Sequence, residues 1–207
     1  MSERVIFHVD ANSAFLSWTA AYRVKVLGEE QDLREIPSVV AGDKESRHSI
    51  ILAKSTPAKK YGIQTGEPLF LALEKCPDLV VVPPDYALYV EASRHFVEML
   101  RQFSPKVEQY SIDEAWVDMT GTERLFGAPR LAAEKMRQRI YEELGFTVNI
   151  GISTNKLLAK VAGDFEKPNK VHTLFPEEME TKMWPLPVRD LFLVGAATEA
   201  KLKRMGI

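Results

Sequence analysis

The sequence predicts an α+β fold in which a sheet is layered with helices. Two observations carry this prediction. Short β-rich runs such as "RVIFHVD" alternate along the chain with longer segments whose apolar residues recur every three or four positions. In the middle of the chain, "KVEQYS" and "AWVDMTG" are strand-like runs that indicate a hairpin. The order of the strands in the sheet stays open at this point.

The expected strands are short and end at turn-forming or charged residues. Two of them are predicted to form a hairpin whose turn is the charged run "GDKESRH", and another stops at two prolines. The expected strands are 4–10, 36–43, 49–55, 79–85, 106–111, 115–121 and 146–153.

Helices are predicted where apolar residues follow helical spacing and capping residues stand at the ends. Asp85 is a predicted N-cap, Pro129 falls near a helix start, and Gly145 ends that helix. From about Val171 the chain is predicted to be helical, broken by prolines and the start of another domain. The other expected helices are 11–28, 56–62, 67–77, 86–103, 128–145 and 155–165.

Composition indicates an ordinary globular protein with one large domain or two smaller ones. The chain has 207 residues, of which 45% are hydrophobic and 27% charged. A net charge of -2 argues against nucleic-acid binding unless basic groups are concentrated locally. The single cysteine, Cys76, is expected to be buried and reduced. No signal peptide or membrane span is predicted, so we expect a cytoplasmic protein with no membrane partner.

Two adjacent acids, Asp113 and Glu114, interrupt the apolar hairpin sequence. Neighbouring residues on a regular strand point to opposite faces, so the pair is expected at the hairpin tip, where both can face one hollow. If the first strand lies beside the hairpin, Asp10 joins them. Three close carboxylates repel one another unless they are protonated or neutralised by cations, and oxygen-only ligation suits Mg²⁺. The alternative is that Asp113 and Glu114 are solvated turn acids. Asp118 is expected to be a surface or turn-capping residue.

His8 lies two residues before Asp10 and is predicted on the same face of the strand. With no cysteine or second histidine nearby, a zinc site is disfavoured. A hydrogen-bonded strand histidine is the favoured interpretation.

Four motifs together resemble the Y-family lesion-bypass DNA polymerases, and most closely the DNA polymerase IV (ImpB/MucB/SamB) type. They are "IFHVDANSAF", "YSIDEAWVDMTG", "NIGISTNKLLAKVAGDFEKPN" and "LFLVGAATEAKLKRMGI". The resemblance implies a right-hand polymerase with a mixed-sheet palm at 1–22 and 82–172 and a small inserted fingers domain at 23–81. Residues 173–207 would begin a helical thumb with a truncated helix-hairpin-helix. The C-terminal DNA-gripping little-finger domain would be absent.

The resemblance also assigns roles to individual residues. Asp10, Asp113 and Glu114 match the catalytic, metal-binding carboxylates, and the backbone carbonyl of Ala11 would be a further ligand. Phe15 matches the steric gate, a ring that would clash with the 2′-OH of a ribonucleotide. A buried core aromatic is the other interpretation of Phe15.

Lys167 in "EKPN" matches a lysine that contacts the incoming triphosphate. In "STPAKKYG" the chain departs from the family, because Thr56 and Lys59 stand where Tyr and Arg are usual. A lysine supplies charge but not the two-pronged contact of arginine, so their role as phosphate contacts is weaker. Ser13 stands where bulkier residues are common.

The function implied is template-directed, error-prone translesion DNA synthesis, in which two Mg²⁺ ions support nucleotidyl transfer from a dNTP to a primer 3′-OH. Primer–template DNA would be the partner, and a sliding clamp would bind through the absent C-terminal part. The missing part would also carry the basic groups, and the 207-residue chain would be weakly active or inactive. Two alternatives remain: another palm-type two-metal transferase such as a nucleotide cyclase, and a catalytically dead interaction module.

Overall fold

The computed structural model describes residues 4–43 and 48–207, so residues 44–47 of the predicted turn "GDKESRH" lie outside it. The strands are β1 Ile6–Ala11, β2 Ser38–Ala41, β3 Ile51–Lys54, β4 Val80–Val82, β5 Val107–Gln109, β6 Glu114–Asp118, β7 Val148–Ser153 and β8 Val171–Thr173. The α-helices are α1 Ala14–Lys25, α2 Thr56–Lys59, α3 Leu69–Lys75, α4 Tyr86–Arg101, α5 Glu123–Phe126, α6 Pro129–Arg139, α7 Lys156–Gly163, α8 Met179–Lys182 and α9 Ala196–Arg204.

The chain divides into two compact units. The first contains Met1–Asp10, Val97–Arg139 and Val148–Ile207, and the second contains Ala11–Phe96 and Ile140–Thr147. The palm, fingers and thumb bounds expected from the resemblance stay a prediction.

The first unit is built on a five-stranded sheet of order β5-β6-β1-β7-β8. Strands β5 and β6 form the predicted antiparallel hairpin, and β6 pairs antiparallel with β1. Strand β8 pairs parallel with β7. The prediction that Val171–Thr173 are helical is therefore wrong. A three-residue strand gives too little alternation to be found from its own sequence, and its partner β7 specifies it.

Helix α7 lies directly against β7 because of one glycine. A Cβ on Gly151 would stand 1.9 Å from the carbonyl oxygen of Ala159 and 2.4 Å from the backbone nitrogen of Gly163. Both of those atoms belong to α7, so only a residue without a side chain permits this approach. The Asn149 amide reinforces the contact by donating to the Gly163 carbonyl at 3.0 Å.

The second unit contains a three-stranded sheet of order β3-β2-β4. Strands β2 and β3 are antiparallel, as the predicted hairpin requires, and β4 is parallel to β2. A buried apolar cluster includes Val39, Ile51, Ile63 and Cys76, so the expected burial of the cysteine is confirmed.

Several helix ends were predicted from capping residues. The Asp85 Oδ1 accepts from the Leu88 N–H at 3.0 Å, which confirms the predicted N-cap of α4. Helix α1 begins later than predicted, because Ser13 has a φ of 48° in the left-handed region. The predicted helix ending at Gly145 changes at Ile140–Leu144 into a π-helix, and Gly145 follows with a φ of 83°.

Among the described residues, no helix is both long and apolar enough to cross a membrane.

We expect Gly151→Ala to destabilise the protein by about 2 kcal/mol or more, because the new methyl group must push α7 away from β7. Urea unfolding followed by circular dichroism measures this change. Gly195→Ala is the control, since a Cβ there meets nothing within 4 Å, and we expect it to cost less than about 1 kcal/mol. Equal stabilities of the two variants would contradict the packing argument.

Candidate active site

The pairing of β1 with β6 brings two of the predicted acids together. Asp10 is directly opposite Glu114, and His8 is opposite Trp116. Side chains directly opposite each other in an antiparallel pair lie on the same face with Cβ atoms roughly 5 Å apart. The Asp10 and Glu114 carboxylates therefore share one face of the sheet.

Only one of the two adjacent acids lies in the hairpin turn. Asp113 is in the turn, whereas Glu114 is the first residue of β6, so the prediction that both occupy the tip is wrong for Glu114. Its carbonyl accepts from the Tyr110 and Ser111 N–H groups at 3.0 and 3.2 Å, which closes the hairpin at that residue. The pairing with β1 extends through Asp10 and thus fixes Glu114 in the ladder.

Glu114 is held by two side chains that contact the same carboxylate oxygen. His8 Nε2 lies 2.8 Å from Glu114 Oε2, and Lys160 Nζ also donates to Oε2. His8 is 1% exposed, so the predicted hydrogen-bonded strand histidine is confirmed. Burial acts to raise the pKa of Glu114, but the hydrogen bonds from His8 and Lys160 outweigh it and lower the pKa to about 2. Glu114 is therefore an anion at neutral pH.

Asp10 is paired with Lys167, the residue predicted to contact a triphosphate. The Lys167 ammonium also lies 2.8 Å from Asp164 Oδ1. Burial raises the pKa of Asp10, and the nearby charge of Asp113 adds to this, although Lys167 and His8 oppose it. Burial alone would lower the pKa of Lys167, but Asp10 and Asp164 raise it to about 12. The Lys167 ammonium thus offsets part of the cost of burying the Asp10 carboxylate.

Asp113 is half-buried in the turn before Glu114. The Ser111 hydroxyl donates to its Oδ1 at 2.7 Å. Since its charge acts on Asp10, the structure brings all three predicted acids and Lys167 to one region of the first unit.

The donor chemistry of this region fits a hard divalent cation. Within residues 4–43 and 48–207, no group of three or more His, Cys, Asp or Glu side chains is placed to hold a metal ion by itself. Mg²⁺ does not require one, because it usually takes one or two carboxylates and completes its shell with water and substrate phosphates. Hydrogen bonds to Glu114 occupy Oε2, and in the described part of the chain none reaches Oε1. That oxygen and Asp10 are suitable ligands for such an ion.

Phe15 lies in the second unit, on the first turns of α1, and its half-buried ring is held by other aromatic side chains. Tyr89 stacks on it with ring centroids 4.4 Å apart and planes 11° from parallel. The Tyr89 hydroxyl lies 3.2 Å from Thr19 Oγ1. Phe15 is therefore a fixed ring rather than a mobile surface one.

The other predicted nucleotide contacts also belong to the second unit. Thr56 and Lys59 are exposed on α2, whose N-cap Ser55 accepts from the Ala58 N–H at 3.1 Å. Burial lowers the pKa of Lys54, and the charge of Lys59 lowers it further, so these two ammonium groups are near each other. Sequence reasoning missed Lys54. Ala11, predicted to offer its carbonyl to a metal, is the buried last residue of β1.

Sequence reasoning also missed Lys160. Its signal is visible in "LLAKVAG", where a lysine stands among apolar residues on a helix that buries most of its side chains. Because an unpaired buried charge is costly, such a lysine predicts a carboxylate partner. The sequence does not say which one.

Acidification should weaken the fold through Glu114. Because its folded-state pKa is about 2 and its ordinary value 4.5, the carboxylate stabilises the protein above about pH 4.5 and this contribution is lost as the pH falls toward 2. We expect Glu114→Gln to lower the unfolding free energy by on the order of 2 kcal/mol at pH 7 and by much less near pH 3. Urea titrations with a chelator present measure both values.

Glu108→Gln is the control for this titration. Glu108 pairs with Lys156, but its side chain is 59% exposed, so the loss should stay below about 1 kcal/mol at either pH. A Glu114→Gln deficit that is the same at pH 7 and pH 3 would refute the assigned pKa.

Two family models match the chain. The model of the impB/mucB/samB family matches residues 9–164, and that of the IMS family HHH motif matches residues 176–207. The first match includes Asp10, Asp113, Glu114 and Lys160.

Curated relatives are similar over the whole chain. A protein named DNA polymerase IV from Clostridium acetobutylicum is 52% identical over 204 residues, which are 99% of this chain and 51% of the relative. A protein named DNA polymerase IV 2 from Bacillus subtilis is 41% identical over 210 residues, which cover 100% of this chain and 49% of the relative. The chain spans about half the length of the curated relatives it matches.

Solved structures show the same fold. The crystal structure of DinB from Sulfolobus solfataricus has a TM-score of 0.82 at 27% identity, over 98% of this chain and 57% of that one. The insertion ternary complex of Dbh DNA polymerase has a TM-score of 0.84 at 26% identity, over 98% of this chain and 58% of that one. The predicted α+β class with a polymerase palm and fingers is thereby confirmed. With a family model matched over residues 9–164, the chain belongs to the impB/mucB/samB family, as its resemblance to the Y-family DNA polymerases indicates.

Proposed function

We propose that the chain carries the catalytic centre of a template-directed, error-prone DNA polymerase that copies damaged templates. The observation that supports this most is the placement of Asp10 opposite Glu114, each neutralised by a lysine, with Asp113 beside them. Relatives named DNA polymerase IV support the same activity. Primer–template DNA and a dNTP are the proposed partners, the longer protein would also bind a sliding clamp, and the setting would be cytoplasmic.

Asp10, Asp113, Glu114 and the Ala11 carbonyl are the proposed ligands of two Mg²⁺ ions. When bound, these ions would supply the positive charge that in-line attack of the primer 3′-OH on the α-phosphate needs, with pyrophosphate as leaving group. The pKa of Glu114, lowered to about 2, keeps this ligand ionised at neutral pH.

Three cationic or polar side chains are the proposed triphosphate contacts. Lys167 remains an ammonium group at any physiological pH, because its pKa is raised to about 12. Its charge would offset that of the phosphates. Lys59 and Thr56 are exposed on α2 and would add a second contact, to which the neighbouring Lys54 contributes charge.

Phe15 is the proposed selector of the sugar. A ring fixed by stacking on Tyr89 cannot turn aside for a 2′-OH, so a ribonucleotide would clash where a deoxynucleotide fits.

Asp10→Asn should lower the single-turnover rate of templated dNTP addition by about 10³-fold, because it removes a charge that the metal ions require. The assay uses protein in excess over primer–template, with Mg²⁺. Asp118→Asn is the control, since Asp118 belongs to the same strand pair but its Oδ1 accepts from the Thr120 N–H at 3.0 Å. This contact confirms the predicted turn-capping role of Asp118.

Three results would contradict the proposed activity. If Asp10→Asn extended the primer at the wild-type rate, the Asp10 carboxylate would not be needed for synthesis. A product that forms without a template would favour a cyclase-type transferase. Tight DNA binding with no synthesis under these conditions would favour an interaction module.

Phe15→Val should raise the ratio of ribonucleotide to deoxynucleotide incorporation by about tenfold or more, because the smaller side chain leaves room for the 2′-OH. Phe70→Val is the control, since Phe70 is an exposed aromatic of the same unit. An unchanged ratio in Phe15→Val, with synthesis intact, would show that Phe15 is only a packing residue.

A further inference from the structure

We propose that Lys160 is a positioning residue that fixes the carboxylate of Glu114 and connects it to the C-terminal segment through Phe192. The inference rests on the proposed function for the role of Glu114. It assigns an orienting task to a lysine that the proposed function above uses only as a neutralising charge.

The Lys160 side chain is largely buried beside the acid. Its side chain is 12% exposed, and Nζ donates to Glu114 Oε2 and lies 3.5 Å from His8 Nε2. A charge removed from water to this degree is tolerated only with a close partner of opposite charge. Lys160 therefore cannot swing into solvent, as a surface lysine would, without taking the ammonium partner away from a partly buried carboxylate.

Two aromatic rings fix the ammonium from other sides. Lys160 Nζ lies 5.5 Å from the ring centroid of Tyr110 and 5.0 Å from that of Phe192. The two rings meet edge to face at 6.0 Å. A cation within about 6 Å of a ring face is attracted to it, and the attraction grows when water is excluded. The ammonium is thus enclosed by one carboxylate and two rings.

Among the described residues, the hydrogen bonds to the Glu114 side chain fall on one of its two oxygens. His8 and Lys160 both contact Oε2, so the carboxylate cannot rotate without breaking two hydrogen bonds. Oε1 is the oxygen left for a metal ion. The same ammonium also opposes a divalent cation by charge repulsion. Lys160 therefore lowers the affinity of the site for a metal ion while it holds the Glu114 carboxylate in a single orientation.

Phe192 links this arrangement to the end of the chain. It packs with Leu158 and Val161 of α7 in an apolar cluster that also contains Met179 and Leu186. Residues 176–207 are the part matched by the HHH motif. A displacement of this segment would uncover the Lys160 ammonium and loosen Glu114.

The experiment compares Lys160→Met with Lys156→Met. Lys156 lies one turn earlier on α7 and makes the same kinds of contact away from the acids: an ion pair with Glu108 and a position 5.4 Å from the Trp116 ring centroid. Mn²⁺ binding to the protein without DNA is measured from the loss of the free-ion electron paramagnetic resonance signal. Single-turnover dNTP addition is measured in parallel, and urea unfolding verifies that each variant is folded.

We expect Lys160→Met to bind Mn²⁺ about three- to tenfold more tightly, since a repelling charge is gone, and to add dNTP about tenfold more slowly, since Glu114 is no longer oriented. Lys160→Arg should retain wild-type Mn²⁺ affinity within about twofold, and Lys156→Met should match wild type in both measurements. Opposite changes in affinity and rate are the signature of positioning, because simple loss of structure would weaken both.

Phe192→Ala tests the connection to the C-terminal segment. We expect it to change Mn²⁺ affinity and rate in the same directions as Lys160→Met but by about two- to threefold. Phe165→Ala, in the same apolar cluster but against His172, should leave both unchanged.

Two outcomes would overturn the inference: an Mn²⁺ affinity of folded Lys160→Met that is equal to or weaker than wild type, and no measurable Mn²⁺ binding to either protein. If wild type binds Mn²⁺ but makes no templated product, the proposed function fails, while the affinity comparison still decides the role of Lys160.

Discussion

The antiparallel register of β1 and β6 is the constraint on which the candidate site depends. It places Asp10 opposite Glu114. A slip of one residue would turn one strand's acid to the other face of the sheet, because side chains alternate along a strand. The register in turn makes two neighbouring, largely buried carboxylates unavoidable, and the rest of the site consists of groups that make this charge tolerable.

Those groups come from α7 and the residues that follow it. Lys160 pairs with Glu114 and Lys167 with Asp10, so the depth at which α7 lies on the sheet decides whether either ammonium reaches its acid. Gly151 sets that depth, because a side chain there would meet the α7 backbone. The absence of a side chain at Gly151 therefore permits both the packing of α7 on β7 and the ion pairs of the two acids.

Local patterns were sufficient for the elements that local energetics dominate. The N-cap at Asp85, the hairpin of β5 and β6 and the burial of Cys76 follow from side-chain type and spacing. The helical prediction for Val171–Thr173 failed because a three-residue strand is stabilised by its neighbour β7 rather than by its own sequence. Glu114 was misplaced at the hairpin tip for a related reason: pairing with β1, remote in sequence, determines where β6 begins.

The sequence by itself determined which chemical groups are available: three acids, Lys167 and the Phe15 ring, within motifs that identify the family. Tertiary structure alone decided how they are partnered. His8 and Glu114 are 106 residues apart, Lys160 and Glu114 are 46 apart, and Lys167 and Asp10 are 157 apart. No local period encodes contacts at such separations. They arise because sheet pairing and helix packing bring remote segments together, and a partly buried carboxylate is stable only where that packing also delivers a cation.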